Sequence, residues 1–340
     1  MNKIKITAFF TLLLLFVCFL QAQKTAVIGF YNVENLYDTE KDPIADDSEF
    51  LPDGANQWTE ERYHQKLKNL AYAISEIGKE KGGVVVLGMS EIENQRVLND
   101  LVAQESLKPL KYNVAHHDGP DYRGVDVAFI YQSERFEFIA QKPHTLTIPD
   151  NPRFRTRDQL LLVGVLDKTD TLYLIVNHWP SKRGGEARSA PLRMAAANLT
   201  RSIVDSLLAI NPNAKILIMG DLNDNPNAKS ILTGLNAKEK IADVKPSDIY
   251  NPMIKMYKDG IGSYAYRDSW DLIDQIMVSY GLLHSKTNSY KYVSAAVFSP
   301  NFLLTKSGSF QGYPFRSYAG GNYAGGYSDH FPVYVILQKN

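Results

Sequence analysis

The stretch AKILIMGDLND, residues 214–224, decides how the rest of the chain is read. Its apolar centre, rich in isoleucine and closed by Gly220, reads as a strand buried on both faces. That strand ends by delivering Asp221 and then Asn223. Six other runs share the pattern: TAVIGFYNV (25–33), GGVVVLGMS (82–90), DVAFIYQ (126–132), TLYLIVNHW (171–179), LIDQIMVS (272–279) and HFPVYVILQ (330–338). Helical periods lie between them. Tyr63, Leu67, Leu70, Ile74 and Ile77 keep a 3.6-residue spacing, and so do Leu192, Ala196, Leu199, Ile203 and Ile210, a helix expected to start after Pro191. Strands mixed with helices predict the α/β class. No linker-like break or repeat divides the chain, so residues 24–340 are expected to form a single domain.

The first 23 residues read differently. Two lysines in MNKIK precede the apolar run ITAFFTLLLLFVCFL, and QAQ follows. This is the pattern of a cleaved signal peptide. The run is shorter than the ~20 residues that a spanning helix needs, and Cys18 lacks the small residues that precede a lipidated cysteine. Export to the periplasm or the extracellular space is expected, with no transmembrane segment in the mature chain. Cys18 is the only cysteine, so the mature fold relies on its core rather than on disulfides. The formal charge is zero, 37 basic against 37 acidic residues. No global basic field recommends a polyanionic partner, and any attraction for anions must be local.

Polar residues collect where the apolar runs stop. Asn32, Glu91, Asn177 with His178, and Asp221 with Asn223 close four of them, and Asp329 with His330 stands at the start of the last. One such residue is an ordinary turn signal. Five ends together point to a site, because ligands of α/β sheets gather at strand ends. For Asp329 and His330 to join, the last strand must run antiparallel, which predicts mixed sheets. Asn, Glu and Asp offer hard oxygen ligands suited to Mg²⁺, Mn²⁺ or Ca²⁺. No Cys/His spacing supports a structural zinc. The two histidines can move protons or bind a phosphoryl oxygen, and Asp221 can orient or deprotonate a water. Together these groups make a kit for phosphate-ester hydrolysis.

The motifs FYNVEN, SEIEN, NHWPSKRGG, GDLNDNP, LIDQIMVS and YSDHFPV resemble the endonuclease/exonuclease/phosphatase superfamily, the fold of pancreatic-type deoxyribonuclease. The resemblance runs from Phe30 to Val333 and implies a four-layered α/β/β/α sandwich with two facing mixed sheets. It implies metal binding by Asn32, Glu91 and Asp329, with Mg²⁺ or Mn²⁺ expected and Ca²⁺ possible. It implies catalytic roles for His178, Asp221, Asn223, Asp274 and His330. His178 would touch the phosphate, Asp221 the attacking water, and Asp274 would orient His330. Arg157 resembles an arginine near the phosphate, and Lys182 and Arg183 would flank the substrate, with Arg188 and Arg193 beside them.

Several neighbours have plainer readings. Glu93 is read as a structural neighbour of Glu91, Asp271 as a loop residue, and Arg153 and Arg155 as a solvated edge. Asp126 either orients His178 or opens a strand. Trp179 either stacks on a base or fills the core, its commoner fate. The segment 306–330, rich in glycine and tyrosine, is expected to be a long loop near the site. The function expected is a secreted, divalent-metal-dependent phosphodiesterase, a nuclease acting on DNA or RNA. It is expected to be monomeric, with no stable protein partner. The alternatives are a sphingomyelinase-like or inositol-phosphate hydrolase and, from another class, an inactive phosphate-binding module. A membrane binder should show an exposed apolar hairpin. The one candidate, NPMIKMYKDG (251–260), has the spacing of a core edge.

Overall fold

The computed structural model describes residues 23–339. The leader assigned to residues 1–23 lies, but for Gln23, outside them. Every strand expected from the seven apolar runs forms. In chain order the strands are β1 (Lys24–Leu36), β2 (Val84–Ile92), β3 (Tyr112–His116), β4 (Asp126–Gln132), β5 (Phe136–His144), β6 (Gln159–Leu166), β7 (Asp170–His178), β8 (Lys215–Asp221), β9 (Ala237–Lys238), β10 (Ile249–Tyr250), β11 (Tyr264–Tyr266), β12 (Ser269–Asp271), β13 (Asp274–Ser279), β14 (Lys291–Val297), β15 (Tyr318–Ala319), β16 (Asn322–Tyr323) and β17 (Val333–Lys339). The α-helices are α1 (Glu60–Glu76), α2 (Gln95–Val102), α3 (Glu186–Ile210), α4 (Met253–Lys258) and α5 (Tyr280–Leu283).

Two sheets carry the fold. One has the order β14-β17-β1-β2-β4-β3, the other β5-β6-β7-β8-β13-β10-β9. Both are mixed. β1 and β2 run parallel in the first, and β7 and β8 in the second. A parallel pair needs a crossover, which α1 and α3 supply. Alternation along each strand then fixes the layers. Ile28 and Phe30 of β1 meet Leu217 and Met219 of β8 between the sheets. Val27 and Tyr31 point outward onto Leu67, Leu70 and Ile74 of α1. Ile216 and Ile218 point the other way, onto Ala196, Ile203 and Val204 of α3. The result is the four-layered α/β/β/α sandwich.

Two helix expectations fare differently. Tyr63, Leu67, Leu70, Ile74 and Ile77 are all fully or almost fully buried, as their spacing predicts. α3, however, starts at Glu186, five residues before Pro191. Proline at this depth forfeits one backbone bond, to the carbonyl of Ala187, a residue that is itself exposed to water. The far end of that pattern also departs, because Ile210 is 84% exposed. In the 251–260 stretch, Met253 and Ile254 are buried on α4, a core edge as expected. No helix among the described residues is long and apolar enough to cross a membrane.

The antiparallel strands bring the site together. β17 pairs with β1 and β13 with β8, and Asp274 faces Asp221 across the second pair. The C-terminal ends of β1, β2, β7 and β8 thus meet the starts of β13 and β17 at one rim of the sandwich.

Candidate active site

Asp221 Oδ2 is where the two sheets meet chemically. Asn32 Nδ2, from the first sheet, donates to it at 3.1 Å. His178 Nε2 lies 3.5 Å away, and His330 Nε2 4.0 Å. The backbone N–H of Asn223 donates to the other oxygen at 2.9 Å. Burial pushes the Asp221 carboxyl up to about 7, against the pull of the neighbouring His330 charge. Gly220 permits this placement, since a Cβ there would lie 2.2 Å from the Asn177 carbonyl oxygen.

The two histidines are buried alike and charged unlike. His330 would lose its proton on burial alone. Asp274, Asp329 and Asp221 outweigh that and hold its pKa well above the usual value. Its Nδ1 sits 2.7 Å from Asp274 Oδ2, a carboxylate oxygen that also accepts from Ser263 Oγ. His178 makes no such hydrogen bond, its nearest carboxylate oxygen being Asp221 Oδ2 at 3.5 Å from Nε2. Burial, with Arg157 and Arg123 nearby, pushes its pKa well below the usual value, and its Nδ1 has no hydrogen-bond partner among the described residues. The surroundings thus favour the protonated ring at His330 and the neutral ring at His178.

Glu91 stands where β2 bulges. Its φ of +63° is left-handed, a conformation costing roughly 1–2 kcal/mol for a residue other than glycine. The register against β4 shifts there, between Ser90 and Ile92. Glu91 Oε2 accepts from the Asn35 N–H at 2.9 Å, while Oε1 faces His178 at 3.9 Å. The bulge also breaks the alternation that would have aimed Glu93 the same way. Glu93 instead accepts from the Asp38 N–H at 2.6 Å, and burial pushes its carboxyl up to about 8. Asp329 Oδ1 lies 3.7 Å from His330 Nε2 and opens to the cleft.

These oxygens fit a hard divalent cation. Glu91, Asp221 and Asp329 line one cleft, and Glu91 keeps one oxygen without a hydrogen bond. Asp221, Asp274 and His330 also bring ligand atoms within 4.8 Å of one another. Asp274 Oδ2 is committed to His330 and Ser263, which holds a proton on His330, while Asp274 Oδ1 is buried with no hydrogen-bond partner among the described residues.

The cleft above this floor measures about 1320 Å³. Its basic wall comprises Arg123, Arg155, Arg157, Lys182, Arg183 and Arg188. Arg157 is held by the Trp179 carbonyl at 2.8 Å and by Asp121 at 3.3 Å. The same carbonyl accepts from Asn223 Nδ2 at 3.0 Å. Lys182, Arg183 and Arg188 are exposed at the mouth.

Some expectations change. Arg193 does not flank a substrate. It is fully buried and pairs with Asp224 and Glu186, each at 2.7 Å, because it faces the sheet from α3. Asp126 does not orient His178. It opens β4 and turns its carboxylate to His116 at the end of the neighbouring strand β3. Arg155 belongs to the cleft wall. Asp271 lies in β12, where it accepts from Asn225 at 2.6 Å. Trp179 is buried, its core reading.

Other contributors carried no sequence signal. The Tyr264 ring lies 4.9 Å from the His330 ring. Ser328 Oγ accepts from the His330 N–H and donates to the Asn32 carbonyl. Buried Lys66, on α1, donates to Ser317 Oγ and the Tyr327 carbonyl, each at 2.7 Å, and pairs with Glu34 at 3.5 Å. Lys66 and Glu34 thus tie the 306–330 segment to the floor.

The chain matches the endonuclease/exonuclease/phosphatase family model over residues 27–339. It belongs to this family. Family members are phosphoric ester hydrolases that use divalent metal ions, and this chain is such an enzyme. Solved structures with the same fold include a Bacteroides thetaiotaomicron protein of the family, 16% identical, with a TM-score of 0.53 over 94% of this chain and 99% of that one. TDP2 of D. rerio, complexed with a single-stranded DNA product, is 12% identical, with a TM-score of 0.54 over 92% and 98%. A mannosyl-6-phosphatase of B. thetaiotaomicron is 16% identical, with a TM-score of 0.53 over 92% and 99%. No curated protein sequence matches the chain.

Proposed function

We propose that this family member is an exported phosphodiesterase that hydrolyses nucleic acid with a divalent metal, Mg²⁺ or Mn²⁺. The observation that carries the reading is the pairing of one compact floor with a long basic wall. A cleft of about 1320 Å³ is far more than one phosphate fills. Six cationic side chains along it suit a substrate with several phosphates in a row. The relatives named above act on different phosphoesters, DNA in one and a mannosyl phosphate in another, so the wall rather than the fold supports the choice.

The proposed chemistry follows from the protonation states. The metal, held by Glu91 and Asp329 with Asn32 beside them, would supply charge stabilisation at the scissile phosphate. Asp221 Oδ2, fixed by Asn32, aligns a water and takes its proton, a task its raised pKa suits near neutral pH. His330 keeps its proton through Asp274 and offers Nε2–H to a phosphoryl oxygen. His178, neutral, donates one hydrogen bond to the same phosphate without adding charge. Asn223 and Arg157, both tied to the Trp179 carbonyl, set the position of the phosphate from the other side.

The test is a parallel assay of metal-stripped mature protein on single-stranded DNA, duplex DNA, RNA, sphingomyelin, inositol phosphates and a sugar phosphate. Each is tried with Mg²⁺, Mn²⁺ and Ca²⁺ restored. Metal-restored turnover of polynucleotide above all the others supports the reading. Preference for sphingomyelin, an inositol phosphate or the sugar phosphate overturns the substrate. Full turnover in excess chelator overturns the mechanism, and absence of turnover on every substrate leaves an inactive phosphate binder.

A further inference from the structure

A second cluster lies away from this floor, at the neck of the loop between β3 and β4. His116 ends β3 and Asp126 begins β4. One ligand atom from each of His116, Asp118 and Asp126 lies within 4.8 Å of the others. His116 and Asp126 are buried, their side chains 3% and 5% exposed. His116 Nε2 stands 3.4 Å from Asp126 Oδ2, a long and loose contact: burial raises the Asp126 pKa, and His116 pulls against that rise. The nitrogen has no well-formed hydrogen bond to any other group among the described residues. A buried ring nitrogen without a partner is costly. Two ligands on one zinc ion, with bonds of about 2.1 Å at the tetrahedral angle, stand about 3.4 Å apart. The gap is thus the size that an ion, rather than a proton, would bridge.

The surroundings are arranged for this. The Gly119 N–H donates to Asp126 Oδ1 at 3.0 Å, leaving Oδ2 turned toward His116. A Cβ on Gly119 would sit 2.6 Å from that Oδ1, so the loop closes over the carboxylate only with glycine there. Asp118, 86% exposed, has its carboxylate 3.6 Å from the other ring nitrogen, Nδ1, so it would join an ion on Nε2 only by rotating its exposed side chain around the ring edge. Beside the cluster, His117 Nε2 lies 3.8 Å from Asp158, whose Oδ1 is also buried without a partner.

We propose that His116, Asp118 and Asp126 form a second metal site, for a borderline transition-metal ion such as Zn²⁺, that ties the neck of the 117–125 loop. The imidazole donor selects against Mg²⁺ and Ca²⁺, which take oxygen ligands. The sequence hides the site, since the site uses no Cys and no regular His spacing. The loop it ties bears Asp121, which holds Arg157, and Arg123, which also lines the cleft. Asp126 itself pairs with Ile92, next to the Glu91 bulge. An ion here would steady one wall of the cleft without touching the scissile phosphate.

The experiment strips the mature protein with chelator, adds Zn²⁺, removes the excess by gel filtration and counts the metal by elemental analysis. Thermal midpoints are recorded with and without Zn²⁺. Wild type and Glu91→Gln should both retain Zn²⁺ at this site and gain in midpoint. His116→Gln should retain one equivalent less than wild type. Asp118→Asn, whose exposed side chain spares the fold, should weaken Zn²⁺ binding on the order of 10-fold or more. If His116→Gln does not fold, Asp118→Asn alone decides. Equal Zn²⁺ content and affinity in wild type, His116→Gln and Asp118→Asn would overturn the site. Because the readout is metal content, its failure leaves the proposed phosphodiesterase reading untouched, and the reverse also holds.

Discussion

The floor and the wall of the cleft are made of different material. The floor is strand ends. Asp221, His178 and Asp274 sit side by side on β8, β7 and β13, and Asn32 reaches them from the facing sheet. The wall is mostly loop: residues 117–125 carry Arg123, 153–157 carry Arg155 and Arg157, and 180–185 carry Lys182 and Arg183, with Arg188 added by the first turn of α3. Sheet hydrogen bonds hold floor atoms to tenths of an ångström, as the transfer of a proton or phosphoryl group requires. Loop cations act through charge, which falls off gradually and tolerates movement. On the proposed reading, chemistry resides in the floor and choice of substrate in the wall, and that division can be broken experimentally.

The largest effects belong to the floor. His330→Ala and Asp221→Asn should each lower kcat by about 10² to 10⁴-fold on every phosphodiester tried, the range of general acid–base groups. The double variant should lose far less than the product, because both act on one transition state. Asp274→Asn should cost less than His330→Ala, since the ring remains. Steady-state kinetics on a polynucleotide and on a small aryl phosphodiester check this, and wild-type kcat in either single variant would misplace the floor.

The tie between floor and loop comes next. Lys66→Met leaves Glu34 buried without its cation, a change that costs about 3–5 kcal/mol where one partner of a buried pair is removed. A lowered unfolding midpoint is expected. Adding Glu34→Gln should restore part of it, and a double variant no more stable than Lys66→Met would deny the pairing its role.

Wall effects are smaller and of another kind. Neutralising Lys182 and Arg183 should raise KM for polynucleotide and leave kcat on the small diester unchanged. The slope of log affinity against log salt should shrink by roughly 0.7–0.9 for each phosphate that the wall no longer neutralises. An unchanged slope would make the mouth a solvated loop and move the choice of substrate toward small phosphoesters.

The subtlest test lies within the floor, in metal-free protein. His178 is held neutral below its unfolded pKa, so its contribution to stability is lost as pH falls below about 6.5. His178→Asn should therefore flatten the acid side of the stability profile. His330 is raised, so its contribution is full below about 6.5 and lost as pH climbs through its higher folded value. His330→Asn should flatten the alkaline side. Denaturant midpoints across pH check both, and the same sign in the two variants would refute the assigned charges.

Much of the floor is legible along the chain. Glu91, His178, Asp221 and His330 each flank an apolar strand, and a strand end is a local signal. The helix from Glu60 is legible for the same reason, through its 3.6 spacing. Arg193 is not. A basic residue after a basic loop reads as surface, and only the turn of α3 against the sheet sends it to Asp224. Asp126 beside a glycine gives no hint that His116 faces it, and nothing in Lys66 announces Ser317, 251 positions away.

The sequence by itself determined the α/β class and which polar groups stand at the ends of the apolar strands, because periodicity and strand-end signals depend on neighbours a few residues apart; the four layers came only as what the family resemblance implies. The tertiary structure alone decided which histidine carries a charge, which arginines face the cleft, and how an imidazole and two carboxylates meet at the neck of a loop. Those outcomes depend on sheet order and on burial, which set the distance between charges and the solvent left around them. Neither is written in the spacing of residues along the chain.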